Sequence, residues 1–262
     1  MPQNKPAVKL PTPLKPAPRA LIIGASSGIG AALARRLARE GYVLALVARR
    51  KGLLAGLSAE LNKSSGSRIA LPFVHDVRDH QQVPDLLRRI TADLGGLDLV
   101  IYASGVNYPP GLQSYNFETD REMLEVNLVS AFAWLDPVAA LFQSAGAGQI
   151  VGISSVAGDR GRVGNPGYNA SKAGLTSLLE SLRNRLTRRG VHVLTVKAGF
   201  VKTDMLKAAQ KVMLPITAEK AAEDIYRAIR RRRQQIYTPW FWTWIMLVVR
   251  NIPSFVFRRM SF

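Results

Sequence analysis

A tyrosine and a lysine four residues apart, in Tyr168-Asn169-Ala170-Ser171-Lys172, could move a proton together. On a helix this spacing puts both side chains on one face. A phenol with its ordinary pKa near ~10 is a poor acid–base group at neutral pH. A fixed cation beside it favours the phenolate and lowers that value, toward the range useful for proton transfer. Upstream, the apolar run Ile150-Val151-Gly152-Ile153 ends in Ser154-Ser155. The carboxyl end of such a strand is where open α/β sheets bind ligands. A serine there can hydrogen-bond a carbonyl or alkoxide oxygen beside the tyrosine, and either serine could serve.

A second chemical signal lies near the N-terminus, in Leu21-Ile22-Ile23-Gly24-Ala25-Ser26-Ser27-Gly28-Ile29-Gly30. Gly24, Gly28 and Gly30, with Ser26, Ser27 and Ile29 between them, join an apolar run to a helical one. Glycine suits a backbone that must turn tightly and approach a pyrophosphate, and the helix N-terminus beyond offers free N–H groups and a positive dipole end. The next apolar run ends Leu46-Val47-Ala48-Arg49-Arg50. A site for NAD places an acidic residue at this point to accept the ribose hydroxyls, and none is present. Arg49 can instead pair with a 2′-phosphate through its planar fork, with Ser26 or Arg50 assisting. The cofactor expected is therefore NADP(H).

These groups need a scaffold, and the hydrophobic pattern supplies one. Continuous apolar runs predict strands at residues 20–24, 42–48, 69–75, 97–103, 149–154, 192–197 and 236–238. Amphipathic stretches predict helices at residues 29–40, 53–61, 82–94, 117–145, 168–189 and 218–232. Strands apolar along their whole length are those covered on both faces. Alternation of this kind predicts one doubly wound, Rossmann-type α/β domain over residues 19–238, with a seven-stranded parallel sheet. Residues 1–18 carry six prolines and no apolar run, which predicts a flexible or extended arm rather than an export signal.

Composition narrows the field. There is no cysteine, so disulfides and thiolate metal sites are excluded. His75, His80 and His192 are scattered, and no metal site is expected. Lys and Arg number 36 against 18 acidic residues, a formal net charge of +18. Such a surface attracts phosphorylated cofactors or acidic lipid head groups. The arginines are dispersed, without the aromatic-interleaved groove that single-stranded nucleic acid needs, so no nucleic-acid partner is expected.

Taken together, these motifs over roughly residues 20–207 resemble the short-chain dehydrogenase/reductase family. That family carries Thr-Gly-x-x-x-Gly-x-Gly, with Ile23 here at the threonine position. The resemblance implies that Ser155, thirteen residues before the tyrosine, is the catalytic serine. It implies that Asn127 completes a catalytic set with Ser155, Tyr168 and Lys172. Asp76 and Val77 would contact adenine, and Thr203 the nicotinamide carboxamide. The family's Asn-Asn-Ala-Gly is Tyr102-Ala103-Ser104-Gly105 here, so both asparagines that brace the sheet are absent, with Ser104 replacing part of them. The Pro of the family's Pro-Gly is Ala198. The implied reaction is hydride transfer between a nicotinamide and the carbonyl carbon of a hydrophobic ketone or alcohol, in a homo-oligomer.

Two segments bear on the substrate. Residues 199–216 should form a lid, where Met205, Leu206, Val212, Met213 and Leu214 either pack among themselves or line a lipid-sized cavity. Residues 239–262 form an aromatic and basic tail, with Trp240, Trp242 and Trp244 close together and Arg250, Arg258 and Arg259 following. Tryptophan favours the membrane interface, and the run is about half of the ~20 residues a span needs. Arg250 and Pro253 should interrupt any longer helix. The tail is therefore expected to lie on an acidic membrane surface, on the cytoplasmic face; the alternative is that it packs on its own domain or a second subunit. Val249-Arg250-Asn251-Ile252-Pro253 and Phe257-Arg258-Arg259 also resemble the tail of reductases acting on polyprenyl-phosphoryl 2-keto-pentose.

Overall fold

A computed structural model describes residues 17–109, 114–208 and 213–260. Most of the proline-rich arm, and Val212 of the lid, lie outside them. The chain runs β1 (Arg19–Ile23), α1 (Gly28–Arg39), β2 (Val43–Ala48), α2 (Lys51–Ser65), β3 (Ala70–Val74), α3 (Val83–Leu94) and β4 (Leu99–Tyr102). It continues through α4 (Phe117–Leu124), α5 (Ser130–Ala145), β5 (Gln149–Ser155), α6 (Pro166–Leu186) and β6 (His192–Ala198). A two-stranded ladder of β7 (Val201–Lys202) and β8 (Ile216–Thr217) precedes α7 (Ala218–Arg230) and β9 (Gln235–Thr238), and the tail forms α8 (Trp242–Asn251) and α9 (Ser254–Phe257).

Seven strands form one parallel sheet in the order β3-β2-β1-β4-β5-β6-β9. The doubly wound fold read from the sequence is the fold observed. Successive strand residues point to opposite faces, so each run divides between two cores. Ala20, Ile22, Leu44 and Leu46 pack with Leu33 and Leu37 of α1 and Ile225 of α7. Leu21, Ile23, Ala45 and Val47 pack with Trp134 of α5 and Leu175 and Leu179 of α6. Both faces are dry, which explains why the strands lack polar alternation. The order reverses between β1 and β4, and the crevice opens at their carboxyl ends.

The predicted helix over 117–145 is continuous, but a π turn at Glu125–Val129 interrupts its α geometry. Such bulges alter which way the following side chains face and are frequent at functional sites. Tyr102, where the family has an asparagine, is fully buried and donates from its hydroxyl to Val126 O at 2.6 Å. The sheet is thus tied to the π turn by a phenol in place of an amide. By length and composition Phe117–Ala145 could cross a membrane, yet its Trp134, Leu135 and Val138 are wholly buried in the domain core.

The tail folds back on the domain. Trp242, Met246 and Val249 of α8 are buried against Val156, with Phe200 and Phe257 beside them. Arg160 donates from Nη1 to Val249 O and Ile252 O, both at 2.6 Å, and its guanidinium lies 3.8 Å from the Phe257 ring centroid. It thereby satisfies carbonyls that the end of α8 leaves without helical partners. Arg250 does not interrupt α8 as the sequence suggested; it sits in the last turn, where a cation suits the helix dipole. Pro253 separates α8 from α9. A buried pair, Lys197 Nζ to Asp159 Oδ1 at 2.5 Å, has a third member from β9, with Tyr237 donating to Asp159 Oδ2 at 2.6 Å.

The opposite face of the tail is open. Trp240, Trp244, Leu247, Val248 and Phe255 are all more than half exposed.

Candidate active site

The glycine loop follows from steric necessity. Gly24 has φ of 91°, a conformation glycine adopts freely. A Cβ on Gly30 would lie 2.2 Å from Gly24 O, so the first turn of α1 packs directly on the loop backbone. A Cβ on Gly28 would lie 3.0 Å from Thr203 Cγ2, which brings Thr203 to the lip of the loop. Helix α1 starts at Gly28 with no side-chain cap and no acidic residue in its first turn. Its leading N–H groups are therefore available to an anion.

At the end of β2 the two arginines take different partners. Arg50 donates from Nη2 to Ser26 Oγ at 2.9 Å and also to Ser27 Oγ. Arg49 instead faces Asp76, at 3.7 Å. Asp76 is also held by Arg78 at 2.7 Å, and the hydrogen bond from Arg78 is the main reason its pKa falls to about 2. Arg50, Ser26 and Ser27 thus form the cluster at the loop, with Arg49 and Asp76 on the flank.

The remaining groups meet at the carboxyl ends of β4, β5 and β6. Helix α6 starts at Asn165, whose side chain accepts from Tyr168 N at 3.3 Å and is hydrogen-bonded to Asn107. This cap puts Tyr168 in the first turn and Lys172 one turn on. Ser154 Oγ is engaged with α6, donating to Lys172 O at 3.0 Å and lying 2.8 Å from Thr176 Oγ1. Ser155 is the serine on the tyrosine side; its hydroxyl donates to Ala198 O at 3.2 Å, accepts from Ala157 N at 3.1 Å, and acts to lower the pKa of the Tyr168 phenol. Asn127 Oδ1 accepts from Val106 N at 2.8 Å, and Nδ2 donates to Val106 O and to Ser171 Oγ, each at 3.0 Å. Gly105 lies between Asn127 and Lys172: a Cβ there would be 3.2 Å from Asn127 Oδ1 and 3.4 Å from Lys172 Nζ.

Ser155, Tyr168 and Lys172 line one cleft of about 670 Å³ with the glycine loop, Arg49, Arg50, Asp76 and Gly105, and Asn127 stands behind its wall. Ile29, Val77, Ser104 and Thr203 are on its wall, together with Met205 and Leu206 of the lid. The size suits a small-molecule site. The open helix N-terminus, the close-packed glycine loop and the cationic end of β2 fit the diphosphate of a dinucleotide.

Two residues of the cleft carry no sequence signal. His75, at the end of β3, is 5% exposed and stacks edge-on with Trp134 at 5.5 Å. Arg162, in the loop between β5 and α6, lines the cleft near Tyr168. It stands seven residues after Ser155 in a glycine-rich stretch that reads as surface loop. Its position between the serine and the tyrosine is the one hint available. Among the described residues no group of acidic or histidine side chains could hold a metal.

The protonation pattern departs from simple expectation. Burial lowers Lys172 to about 8, and its Nζ donates to Ile153 O at 3.0 Å. Burial raises the Tyr168 phenol above its ordinary value, while the Ser155 hydrogen bond and the Arg162 charge act the other way. The charge that acts on the phenol of the cofactor-free chain is that of Arg162. Lys172 also has a consequence for stability. Its unfolded pKa is near ~10.4, so between about pH 8 and 10 the unfolded chain binds more protons, and this residue makes stability rise with pH. Urea titrations of the cofactor-free protein at pH 8 and 10 should show a smaller rise for Lys172→Met than for wild type. Identical slopes would mean that Lys172 is solvated.

Comparison with known proteins agrees with this geometry. Residues 18–213 match the family model for the short chain dehydrogenases. An uncharacterized oxidoreductase of Mycobacterium tuberculosis is 36% identical over 230 residues, 87% of this chain and 90% of the relative. The ketoacyl reductase HetN of Nostoc sp. is 28% identical over 221 residues, 82% of this chain and 76% of HetN. Among solved structures, a variant of the actinorhodin polyketide ketoreductase with NADPH superposes with a TM-score of 0.74 at 26% identity, over 81% of this chain and 90% of that one. The chain belongs to the short-chain dehydrogenase family. It is an NAD(P)-dependent oxidoreductase.

Proposed function

We propose that the enzyme uses NADPH to reduce a ketone on a lipid-linked or long-chain molecule, through Asn127, Ser155, Tyr168 and Lys172. The observation that carries the reading is the meeting of Ser155 and Tyr168 on one cleft wall, with Lys172 one turn behind. A ketone oxygen there accepts hydrogen bonds from Ser155 Oγ and Tyr168 Oη. A bound nicotinamide supplies the hydride. As negative charge develops on the oxygen, Tyr168 gives up its phenolic proton and Ser155 keeps its hydrogen bond. Lys172 holds the nicotinamide ribose and favours the phenolate, and Asn127 holds the β4–α4 loop and α6 together beside it. The ketoreductase neighbour, solved with NADPH, supports both the reaction and the cofactor.

The choice of NADP(H) over NAD(H) falls to Arg50 with Ser26, and Arg49 beside them. No carboxylate ends β2, and Asp76 is already paired. Arg50→Ala should weaken NADPH binding by roughly tenfold or more and leave NADH little changed, as loss of a charge-assisted hydrogen bond implies. Equal weakening of both cofactors would assign Arg50 to the loop alone.

The lipid part of the reading rests on the tail. Its outer face is apolar and aromatic, and Arg250, Arg258 and Arg259 are exposed at its end. A ten-residue helix spans about 15 Å, half of a bilayer core, so α8 suits lying in the interface of an acidic cytoplasmic leaflet. A polyprenyl-phosphoryl keto-pentose would suit both the basic surface and this anchor. Since the inner face of α8 is core, the clean test keeps the tail and changes its outside. Wild type should co-sediment with phosphatidylglycerol vesicles, less at high salt and little with phosphatidylcholine. Trp244→Gln combined with Leu247→Gln should abolish this while ketone reduction in solution persists. If the wild type ignores vesicles, and the double variant turns a dimer into a monomer, the outer face is a subunit interface and small soluble ketones become the substrates to screen.

A further inference from the structure

Beyond its charge acting on the Tyr168 phenol, Arg162 has no task in the reaction as described. It lines the cleft beside Tyr168, yet its side chain is half-buried and its Nε is buried without a hydrogen-bond partner. Among the described residues no carboxylate pairs with it. This contrasts with Arg36, Arg78 and Arg183, which all have acceptors. A guanidinium partly removed from water is costly unless an anion or acceptors offset the loss. Burial does depress its basicity, and the only opposing influence is the Tyr168 phenol. Its chain neighbours on the wall, Val163 and Gly164, carry no charge, and Asp204, which also lines the cleft, has an interaction of its own. The site therefore holds a forked, unmatched cation within electrostatic reach of the hydroxyl that binds the reacting oxygen.

We propose that Arg162 determines specificity by binding an anionic group, phosphoryl or carboxylate, carried by the ketone substrate within a few bonds of its carbonyl. The geometry asks for this because the planar fork of arginine matches both oxyanions through paired hydrogen bonds. The inference rests on the ketone-reductase reading and adds the charge and placement of a second functional group. It also explains why the cation is left open rather than neutralised by a protein carboxylate, which would repel such a substrate.

The test separates the anion site from the reaction. With the full-length protein saturated in NADP⁺, octyl phosphate and octanoate are titrated by calorimetry, with octanol as the neutral control. Arg162→Met should weaken whichever anion the wild type binds by about thirtyfold, and Arg162→Lys by less, with NADP⁺ affinity unchanged. In parallel, 2-oxooctanoate is compared with its methyl ester, and acyl-dihydroxyacetone phosphate with acyl-dihydroxyacetone. The wild-type preference in kcat/KM for one anionic member should fall about a hundredfold in Arg162→Met. Which pair responds distinguishes carboxylate from phosphoryl. An unchanged preference, with anion binding equally unchanged, would overturn the proposal and leave Arg162 as a partner of the Tyr168 phenol. If the wild type binds an anion through Arg162 but reduces none of the ketones, the anion site stands and the ketone reading fails.

Discussion

Tyr168→Phe is expected to lower kcat by ~10³-fold, within the range of ~10²–10⁴ that a positioned acid–base group supplies, while NADPH affinity stays within about twofold. The substitution removes one oxygen and leaves the ring, so packing at the start of α6 persists. The loss is large because the polar neighbours of the phenol are already engaged with backbone carbonyls. Ser155 donates to the Ala198 carbonyl, and Lys172 donates to Ile153 O. The effect should fall on kcat rather than KM, since the proton moves only as charge develops on the oxygen. Steady-state kinetics with any ketone the wild type reduces, alongside NADPH titration by fluorescence, separates the two. Loss of NADPH binding would mean that the phenol builds the cofactor site; retained kcat would mean that another group is the proton donor.

Gly30→Ala should have the second largest effect, on the cofactor. The added methyl carbon would sit 2.2 Å from Gly24 O and 3.0 Å from Gly24 C. Both are backbone atoms, so no side-chain rotation relieves the overlap. Either α1 or the loop must move, and each carries the N–H groups that receive the diphosphate. Overpacking typically costs about 1–3 kcal/mol, which for a domain of this size lowers Tm by roughly 2–10 °C. NADPH affinity should fall by at least ~50-fold, because hydrogen bonds to a charged ligand lose strength steeply when misaligned. Thermal melts with and without NADPH check both at once: the variant should be less stable and should gain little from the cofactor. A full wild-type gain would show that the loop can shift without cost. Gly52 gives a control, since a Cβ there meets nothing within 4 Å.

Much of this was legible from residue order, for identifiable reasons. A parallel sheet covered on both faces needs continuous apolar strands, and all seven could be placed within a residue or two. The glycine loop was legible because steric demands leave few alternatives at Gly24 and Gly30. Tyr168 and Lys172 were legible because their spacing is a helix turn. What escaped depends on contacts distant in sequence. Arg49 and Arg50 are adjacent and alike, and only the packing of β2 against β3 directs one to Asp76 and the other to Ser26. Tyr102 looked like a loss of bracing, yet its hydroxyl reaches Val126 O. The inner face of the tail could not be read because its partners, Val156, Arg160 and Phe200, lie far upstream and follow no periodicity. Arg162 was invisible for the same reason: only the fold reveals which loop arginine turns inward.

The central claim is that a hydride passes to a carbonyl carbon in this cleft while Tyr168 protonates the oxygen. The most direct measurement supplies NADPH deuterated at the transferable C4 position with the ketone panel and analyses the alcohol by mass spectrometry. The account predicts an alcohol carrying one deuterium on its carbinol carbon from the wild type, and a rate at least ~100-fold lower from Tyr168→Phe. Tight NADPH binding with no ketone yielding deuterated alcohol, or equal deuterium transfer by Tyr168→Phe, would contradict it.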